Sequence, residues 1–348
     1  MSANLQQSML DAIEIELKQQ VARLDQPRTK DFHEMLTYHM GWTGDGAGPF
    51  AAGKRIRPLL TLLSVISCFD EDKNKEGKDG KINWLHAVSA ASSIELIHNF
   101  SLVHDDIQDN SELRRGRKTV WANWGAPMAI NVGDALFVIA NQSVMDLAEH
   151  YPAEMVVKAS KILSQCCLEL TQGQYLDMSY EERTDLSIED YWPMIAGKTS
   201  ALLSACTHIG SLLGYANDEK MENFRLFGYH LGLAFQVQDD ILGIWGDEAL
   251  TGKSASSDLV EGKNSLPVLF ALEKKGPFAE RWHQGPISVD EVDAMADLLE
   301  KEGGKAYAEQ VSEVETQKAL DHLYKANPQG EAGEIIIGLA NKLLKRNQ

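Results

Sequence analysis

The sequence predicts an all-α fold, and three observations carry that prediction. Apolar residues recur at three- and four-residue spacing from one end of the chain to the other. No Pro/Gly/Ser-rich linker interrupts the 348 residues, so one large helical domain over 1–348 is expected, although length alone suggests about two. Adjacent aspartates occur twice, Asp105–Asp106 and Asp239–Asp240, each time on an apolar-periodic segment that reads as a buried helix.

The chain opens with an amphipathic helix carrying Leu10, Ile13, Leu17, Val21 and Leu24, then a shorter one with Phe32, Met35, Leu36 and Met40. Gly41–Gly53 (GWTGDGAGPFAAG) is a glycine-rich loop ending in GKRIRP. Pro58 fits only the first turn of the helix through Leu59, Leu62 and Val65. Lys54 and Arg57, at i and i+3, share a face at its start. Two cations at a helix N-terminus suit an anion; a basic helix end facing water fits the same residues. Asp70–Lys81 (DEDKNKEGKDGK) has no apolar residue and reads as a solvated linker.

From Trp84 a helix with Val88, Ala91, Ile94 and Leu102 delivers Asp105, Asp106 and Asp109, and His98 lies about 20° off the Asp105 stripe. Trp121 and Trp124 read as packing residues. Long helices follow over Met128–Glu149 and Ala153–Asp177, the second ending in polar Gln172, Gly173, Gln174 and Asp177. Ser187 and Asp190 form a capping pair for a helix bearing Lys198 and Thr199. These two can reach a phosphate, or the lysine can snorkel at the surface. A further helix carries Phe227, Leu231, Ala234, Phe235, Gln236, Asp239 and Asp240, before a polar loop with Lys253, Asp258 and Lys263.

Asp105, Asp106 and Asp109 fall within an arc of roughly 100° on a helix. Like charges so close need a cation, and Arg114, Arg115 and Arg117 follow. Mg²⁺ is held by one or two carboxylates plus phosphate oxygens, and Arg matches phosphate by its fork of donors. The stretch therefore suits a metal bridging to a polyphosphate, while a solvated acidic turn followed by a basic one also accounts for it alone. The second pair, roughly 130 residues on, excludes a single local turn. Two such helices facing each other across a bundle would form a multi-metal site for a diphosphate leaving group.

A formal net charge of -18 disfavours nonspecific binding to nucleic acid or anionic membrane. Cys68, Cys166, Cys167 and Cys206 lie in apolar contexts without metal-ligand spacing and read as buried thiols in a reducing compartment. The N-terminal MSANLQQSMLDAIEIEL has acids and no uninterrupted apolar stretch, so no signal peptide is expected. No apolar run is expected to span a bilayer. The expectation is a soluble cytoplasmic protein with no nucleic-acid partner and no stable membrane insertion.

GKRIRP, HNFSLVHDDIQDNSELRRG, GQYLD, GKT and FQVQDDILG stand in this order from Gly53 to Gly243, followed by the Lys263 segment. In these motifs the chain resembles the trans-isoprenyl diphosphate synthases of the polyprenyl synthetase family, over all but the first helix and the extreme C-terminus. The resemblance implies a helical bundle around a deep central cavity (the type I isoprenoid synthase fold), usually homodimeric, condensing isopentenyl diphosphate with an allylic diphosphate (dimethylallyl, geranyl or farnesyl). It implies Asp105 and Asp109 as ligands of two Mg²⁺ ions with Asp106 in support, and Asp239, beside Asp240, for a third; Mn²⁺ is an alternative. It implies Arg114, Lys198, Lys253 and Lys263, assisted by Thr199 and Gln236, for the allylic diphosphate, and Lys54, Arg57, His98 and Arg115 for isopentenyl diphosphate. The departing diphosphate is then the proton acceptor, since no protein base stands out.

The second motif in many relatives has a third aspartate where this chain has Gly243, leaving Asp240 or Asp247 to compensate. In the family, bulk at the fifth and fourth positions before the first aspartate sets product length. Phe100 and Ser101, one large and one small, imply geranylgeranyl diphosphate, with farnesyl or longer products as alternatives. A terpene cyclase would lack the second set of cations, and a noncatalytic scaffold would be expected to lose the acidic motifs.

Overall fold

A computed structural model describes residues 2–68, 83–181, 183–246 and 257–344; the expected linker Asp70–Lys81, Asp247 and Lys253 lie outside them. The helices are α1 (Ser2–Val21), α2 (Lys30–His39), α3 (Pro49–Ala52), α4 (Ile56–Ser67), α5 (Val88–Gln108), α6 (Val120–Trp124), α7 (Ala126–Met145), α8 (Ala153–Tyr180), α9 (Ile188–Ile195), α10 (Ala201–Leu213), α11 (Asp218–Trp245), α12 (Ser257–Val260) and α13 (Leu266–Lys274). Further helices span Pro277–Trp282, Val292–Lys301, Gly304–Ala326 and Gly330–Leu344. Among the described residues the only strands are β1 (Leu113–Arg114) and β2 (Arg117–Lys118), paired antiparallel.

The chain divides into two compact units, one of residues 1–164, 205–222 and 326–336, the other of 165–204, 223–325 and 337–348. In the first, α5 is packed by α1, α4 and α7. Helix α1 buries Met9, Ile13, Leu17 and Val21 completely. Leu10 is only half-buried and Leu24 falls in a 3₁₀ turn, so Met9 takes the place expected for Leu10. Helix α4 is apolar nearly all round and nearly all buried, the pattern of a core helix. Burying each of its leucines contributes about 1.5–3 kcal/mol. A Cβ on Gly210 would lie 2.4 Å from the Thr61 carbonyl oxygen, so α10 meets α4 backbone to backbone there.

Helix α7 departs from the expectation that no apolar run could span a bilayer: Ala126–Glu149 is long and apolar enough by length and composition, with 44% of its apolar window buried. It packs along α5. Ser93 donates to the Ala140 carbonyl at 2.8 Å and Ser143 to the Ser89 carbonyl at 2.7 Å, which ties the two helices together.

The second unit's core includes Tyr191, Ile195, Leu233, Val237, Ile241, Leu266 and Leu269. The Ser187–Asp190 capping box starts α9 as expected. Lys198 and Thr199 do not lie on a regular α-helix, however. They occupy a π turn, Ala196–Ser200, between α9 and α10. Such turns are frequent at functional sites because the extra residue re-aims its neighbours.

Candidate active site

Helix α5 ends where the first acidic cluster begins. Asp105 and Asp106 occupy its last turn, and Asp109 is the C-cap, its N–H donating to the Asp105 carbonyl at 2.8 Å. Asn110 takes the left-handed conformation (φ 51°), Asn110 N–H donates to Ile107 O and Ser111 N–H to Asp106 O, the Schellman pattern. Three carboxylates at a helix C-terminus oppose the macrodipole, so this end is built to receive positive charge. Their environments differ. Asp109 is exposed and Asp105 half-buried, whereas Asp106 is 2% exposed. Arg114 Nε donates to Asp106 Oδ1 at 2.7 Å, and burial, working against Arg114, pushes the Asp106 carboxyl up to about 6.

The basic residues after the cluster form a hairpin. Arg115 (φ 52°) and Gly116 (φ 73°) are its two-residue loop, a pair of positive φ values that matches the twist of paired strands. The turn sends three guanidinium groups in different directions. Arg114 goes to Asp106. Arg115 Nη1 donates to the Ala51 carbonyl at 2.7 Å. Arg117 clamps the glycine-rich loop, donating to the carbonyls of Asp45, Tyr38 and Thr43 and lying 4.0 Å over the Tyr38 ring. The expected cluster of three arginines is thus two plus a loop clamp. Gly53 (φ 88°) admits Arg115, since a Cβ there would fall 2.6 Å from its Nη1.

Lys54 and Arg57 do not share a helical face, because α4 starts at Ile56 and exposed Lys54 precedes it. The N-cap is Arg55, in the left-handed region (φ 49°) and 6% exposed, with Nη1 donating to Glu95 Oε1 at 2.8 Å and Nε to Glu14 Oε2 at 3.3 Å. Such backbone persists only where the surroundings over-determine it. Arg57 Nη1 lies 3.4 Å from His98 Nε2. Burial first, then Arg57, Arg115, Arg114 and Arg55, hold His98 well below the usual imidazole range, so it is neutral and accepts from Arg57. Arg57, His98 and Arg115, beside Gly53, therefore converge.

Of the two positions expected to set product length, Phe100 packs against His104 (5.0 Å between ring centroids) and Phe137 of α7 (5.2 Å). Ser101 Oγ donates back to the His98 carbonyl at 2.9 Å.

In the second unit Asp239 is exposed and Asp240 6% exposed. Three neutral donors hold Asp240: Tyr191 O–H at 2.8 Å and Leu266 N–H at 3.0 Å on Oδ2, and Gln236 Nε2 at 3.0 Å on Oδ1. Burial pushes its carboxyl up to about 6 despite those bonds. Thr199 Oγ1 donates to Gln236 Oε1 at 2.7 Å, so Thr199, Gln236 and Asp240 form one chain. Lys198 is ion-paired with Asp177. A Cβ on Gly173 would lie 2.1 Å from Lys198 N, and one on Gly197 2.8 Å from Gly173 Cα; the two glycines let α8 and the π turn touch where this pair forms.

Lys263 Nζ pairs with Asp258 Oδ1 at 3.0 Å and Glu261 Oε2 at 2.6 Å; burial disfavours its charge, but the two carboxylates raise its pKa overall. A Cβ on Gly243 would lie 2.0 Å from Asp258 Oδ2, so buried Asp258 fills the space beside Gly243. Asp258 and Arg55 are the residues that reading the sequence undervalued. Their signals were a lone acid in a loop and the one GKRIRP cation left unassigned.

The polyprenyl synthetase family model matches residues 49–299. The chain is 34% identical over 330 residues to (2E,6E)-farnesyl diphosphate synthase of Mycobacterium tuberculosis, covering 92% of this chain and 86% of that protein. It is also 34% identical over 319 residues to geranylgeranyl diphosphate synthase of the same organism, covering 90% and 86%. The crystal structure of geranylgeranyl pyrophosphate synthetase from Pyrococcus horikoshii Ot3 superposes with a TM-score of 0.85 at 31% identity, over 99% of this chain and 98% of that one.

Proposed function

The chain belongs to the polyprenyl synthetase family and is an all-α trans-prenyltransferase, and from that premise we propose that it condenses isopentenyl diphosphate with an allylic diphosphate to give geranylgeranyl diphosphate. The observation that carries the reading is the repeated aspartate pair, one carboxylate turned outward and its neighbour buried, at Asp105–Asp106 and Asp239–Asp240.

Among the described residues no three acidic, histidine or cysteine side chains close into a metal cage. Mg²⁺ needs no such cage, taking one or two carboxylates and completing its octahedron with water and substrate oxygens. Outward Asp105, Asp109 and Asp239 fit that requirement, for three ions in all, and Mn²⁺ suits the same oxygen donors. Bound there, the metal supplies positive charge against the diphosphate leaving group. Asp106, held through Oδ1, and Asp240, held through both oxygens, position the outward carboxylates.

Lys54, Arg57, neutral His98 and Arg115 hold isopentenyl diphosphate. Arg114, Lys198, Lys253 and Lys263, with Thr199 and Gln236, hold the allylic diphosphate. Fixed cations aimed at the departing group favour ionisation without reorganisation at the moment of reaction. An apolar, water-excluding pocket then protects the allyl cation until the isopentenyl double bond attacks, and the departed diphosphate takes the proton. The exposed α7 residues Met128, Ile130, Val138 and Met145 support a homodimer, and four buried thiols support a cytoplasmic location.

Equal identity to a farnesyl and a geranylgeranyl synthase leaves product length to Phe100 and Ser101. Chromatography after incubation with isopentenyl diphosphate and each allylic primer tests the reading. A twenty-carbon product is expected, lengthened by Phe100→Ala and shortened by Ser101→Phe. A fifteen-carbon product unchanged in both variants would overturn the length assignment. Product from allylic substrate alone would mark a cyclase and overturn the reaction.

A further inference from the structure

Beneath the first acidic cluster lies a cavity of about 30 Å³ lined by His39, Asn99, Asp106, Arg114, Arg115 and Thr119, among others. Three polar atoms on its walls are buried without a hydrogen-bond partner: Asp106 Oδ2, His39 Nε2 and Thr119 Oγ1. Asp106 and Thr119 are 2% and 3% exposed. Thr119 stands at the N-cap of α6, where a threonine hydroxyl ordinarily bonds the first turn, yet it makes no such bond.

Hydrogen-bond polarity fixes what this cavity can take. Glu95, Asn99, Leu102 and Asp106 follow one another at i, i+4, i+7 and i+11, a single stripe of α5. Arg55 holds Glu95, and Asn99 Nδ2 donates to Glu95 O at 2.8 Å and Oε1 at 3.2 Å. The amide oxygen of Asn99 is left for the bond it shares with His39. Burial, with Arg114, Arg115 and Arg55 nearby, brings His39 down to about 3, so the ring is neutral and its unpartnered Nε2 can accept when Nδ1 carries the proton. The walls therefore offer two acceptors, Asp106 Oδ2 and His39 Nε2, and one donor, Thr119 O–H. A water has two donors and an acceptor to match. A buried water needs roughly 10–15 Å³ of room and two to four polar partners, conditions met here; an inorganic phosphate is too large.

We infer that an ordered water in this cavity links Asp106 to His39 and Thr119, which makes those two the positioning residues of the first acidic cluster, an inference resting on the prenyltransferase reading of that cluster. With Arg114 on Oδ1 and the water on Oδ2, both oxygens of Asp106 are held. The last turn of α5, and with it outward Asp105 and Asp109, is fixed. The hydrogen-bonded column then runs from Arg55 through Glu95, Asn99, His39 and the water to Asp106 and Arg114.

Two measurements on the full chain test this. A high-resolution crystal structure is expected to show water within hydrogen-bond distance of Asp106 Oδ2, His39 Nε2 and Thr119 Oγ1; an empty cavity overturns the water. Calorimetric titration with Mg²⁺ in the presence of inorganic diphosphate is expected to weaken about tenfold in Thr119→Val and to return to within about twofold of wild type in Thr119→Ser. Equal affinity in Thr119→Val and wild type overturns the positioning role. If Thr119→Val does not fold, His39→Leu against His39→Gln decides in the same way. Wild-type protein that binds no Mg²⁺ with diphosphate overturns the reaction assignment and the positioning role with it, while the crystallographic arm still decides the water.

Discussion

The two aspartate pairs look alike in sequence and are held in opposite ways. Asp106 is anchored by one cation, Arg114, on one oxygen. Asp240 is anchored by three neutral dipoles, from Tyr191, Gln236 and Leu266, on both. The first pair sits in the last turn of its helix with Asp109 as C-cap; the second lies inside α11, which continues to Trp245. A third carboxylate follows the first pair in sequence, whereas the second has Gly243, with Asp258 from α12 occupying the space beside it. A buried carboxylate can be stabilised by charge or by converging donors, and the two solutions fail differently when a partner is removed.

The largest effect is expected at the third position. Gly243→Asp would drive a second carboxylate into Asp258, with Cβ already 2.0 Å from Oδ2. Steric overlap and like charge together should cost about 4 kcal/mol in denaturant unfolding. Adding Asp258→Gly should recover more than half of it, because Lys263 then has the carboxylate at position 243 to pair with. No recovery in the double variant would break the link between Gly243 and Asp258.

Removing the anchors sharpens the contrast between the pairs. Arg114→Ala leaves Asp106 buried without its cation and should cost about 3 kcal/mol. Tyr191→Phe removes one of three donors from Asp240 and should cost about 1 kcal/mol. Equal losses, read from urea unfolding at pH 7.5, would mean that the two anchoring modes are energetically the same.

Much of this arrangement was legible in the sequence. Apolar periodicity located the longer helices, and the spacing of polar residues gave the Ser187–Asp190 cap and both acidic pairs. Which member of a pair turns inward was not legible, since neighbours on a helix differ by about 100° and tertiary packing chooses between them. The Arg115–Gly116 hairpin was hidden because RRGRK reads as a charge run, although Gly116 marks the turn. Lys54 and Arg57 share a helical face only if α4 begins early; the left-handed Arg55 delays it, and that conformation depends on distant Glu14 and Glu95. Glu95 and Asn99, at i and i+4 in an apolar helix, were the overlooked sign of a polar stripe.

The smallest effect is a pH dependence. Asp240 titrates near 6 in the folded chain, against about 3.9 unfolded. Between those values the native state binds more protons than the unfolded one, so this group's contribution to stability falls as pH rises. From pH 5 to pH 7, wild type should lose about 1 kcal/mol relative to Asp240→Asn. A flat difference between the two across that window would remove the burial penalty on Asp240.

The proposed division of each pair into a metal-holding aspartate and a buried anchor is tested most directly by measuring turnover and unfolding free energy side by side for Asp105→Asn, Asp106→Asn, Asp239→Asn and Asp240→Asn. Asp105→Asn and Asp239→Asn should each lose turnover by at least about a thousandfold while unfolding free energy stays within about 0.5 kcal/mol of wild type. Asp106→Asn and Asp240→Asn should shift unfolding free energy by more than about 1 kcal/mol in either direction, with the smaller loss of turnover. The contradicting result is Asp106→Asn or Asp240→Asn losing turnover as deeply as its neighbour at unchanged stability.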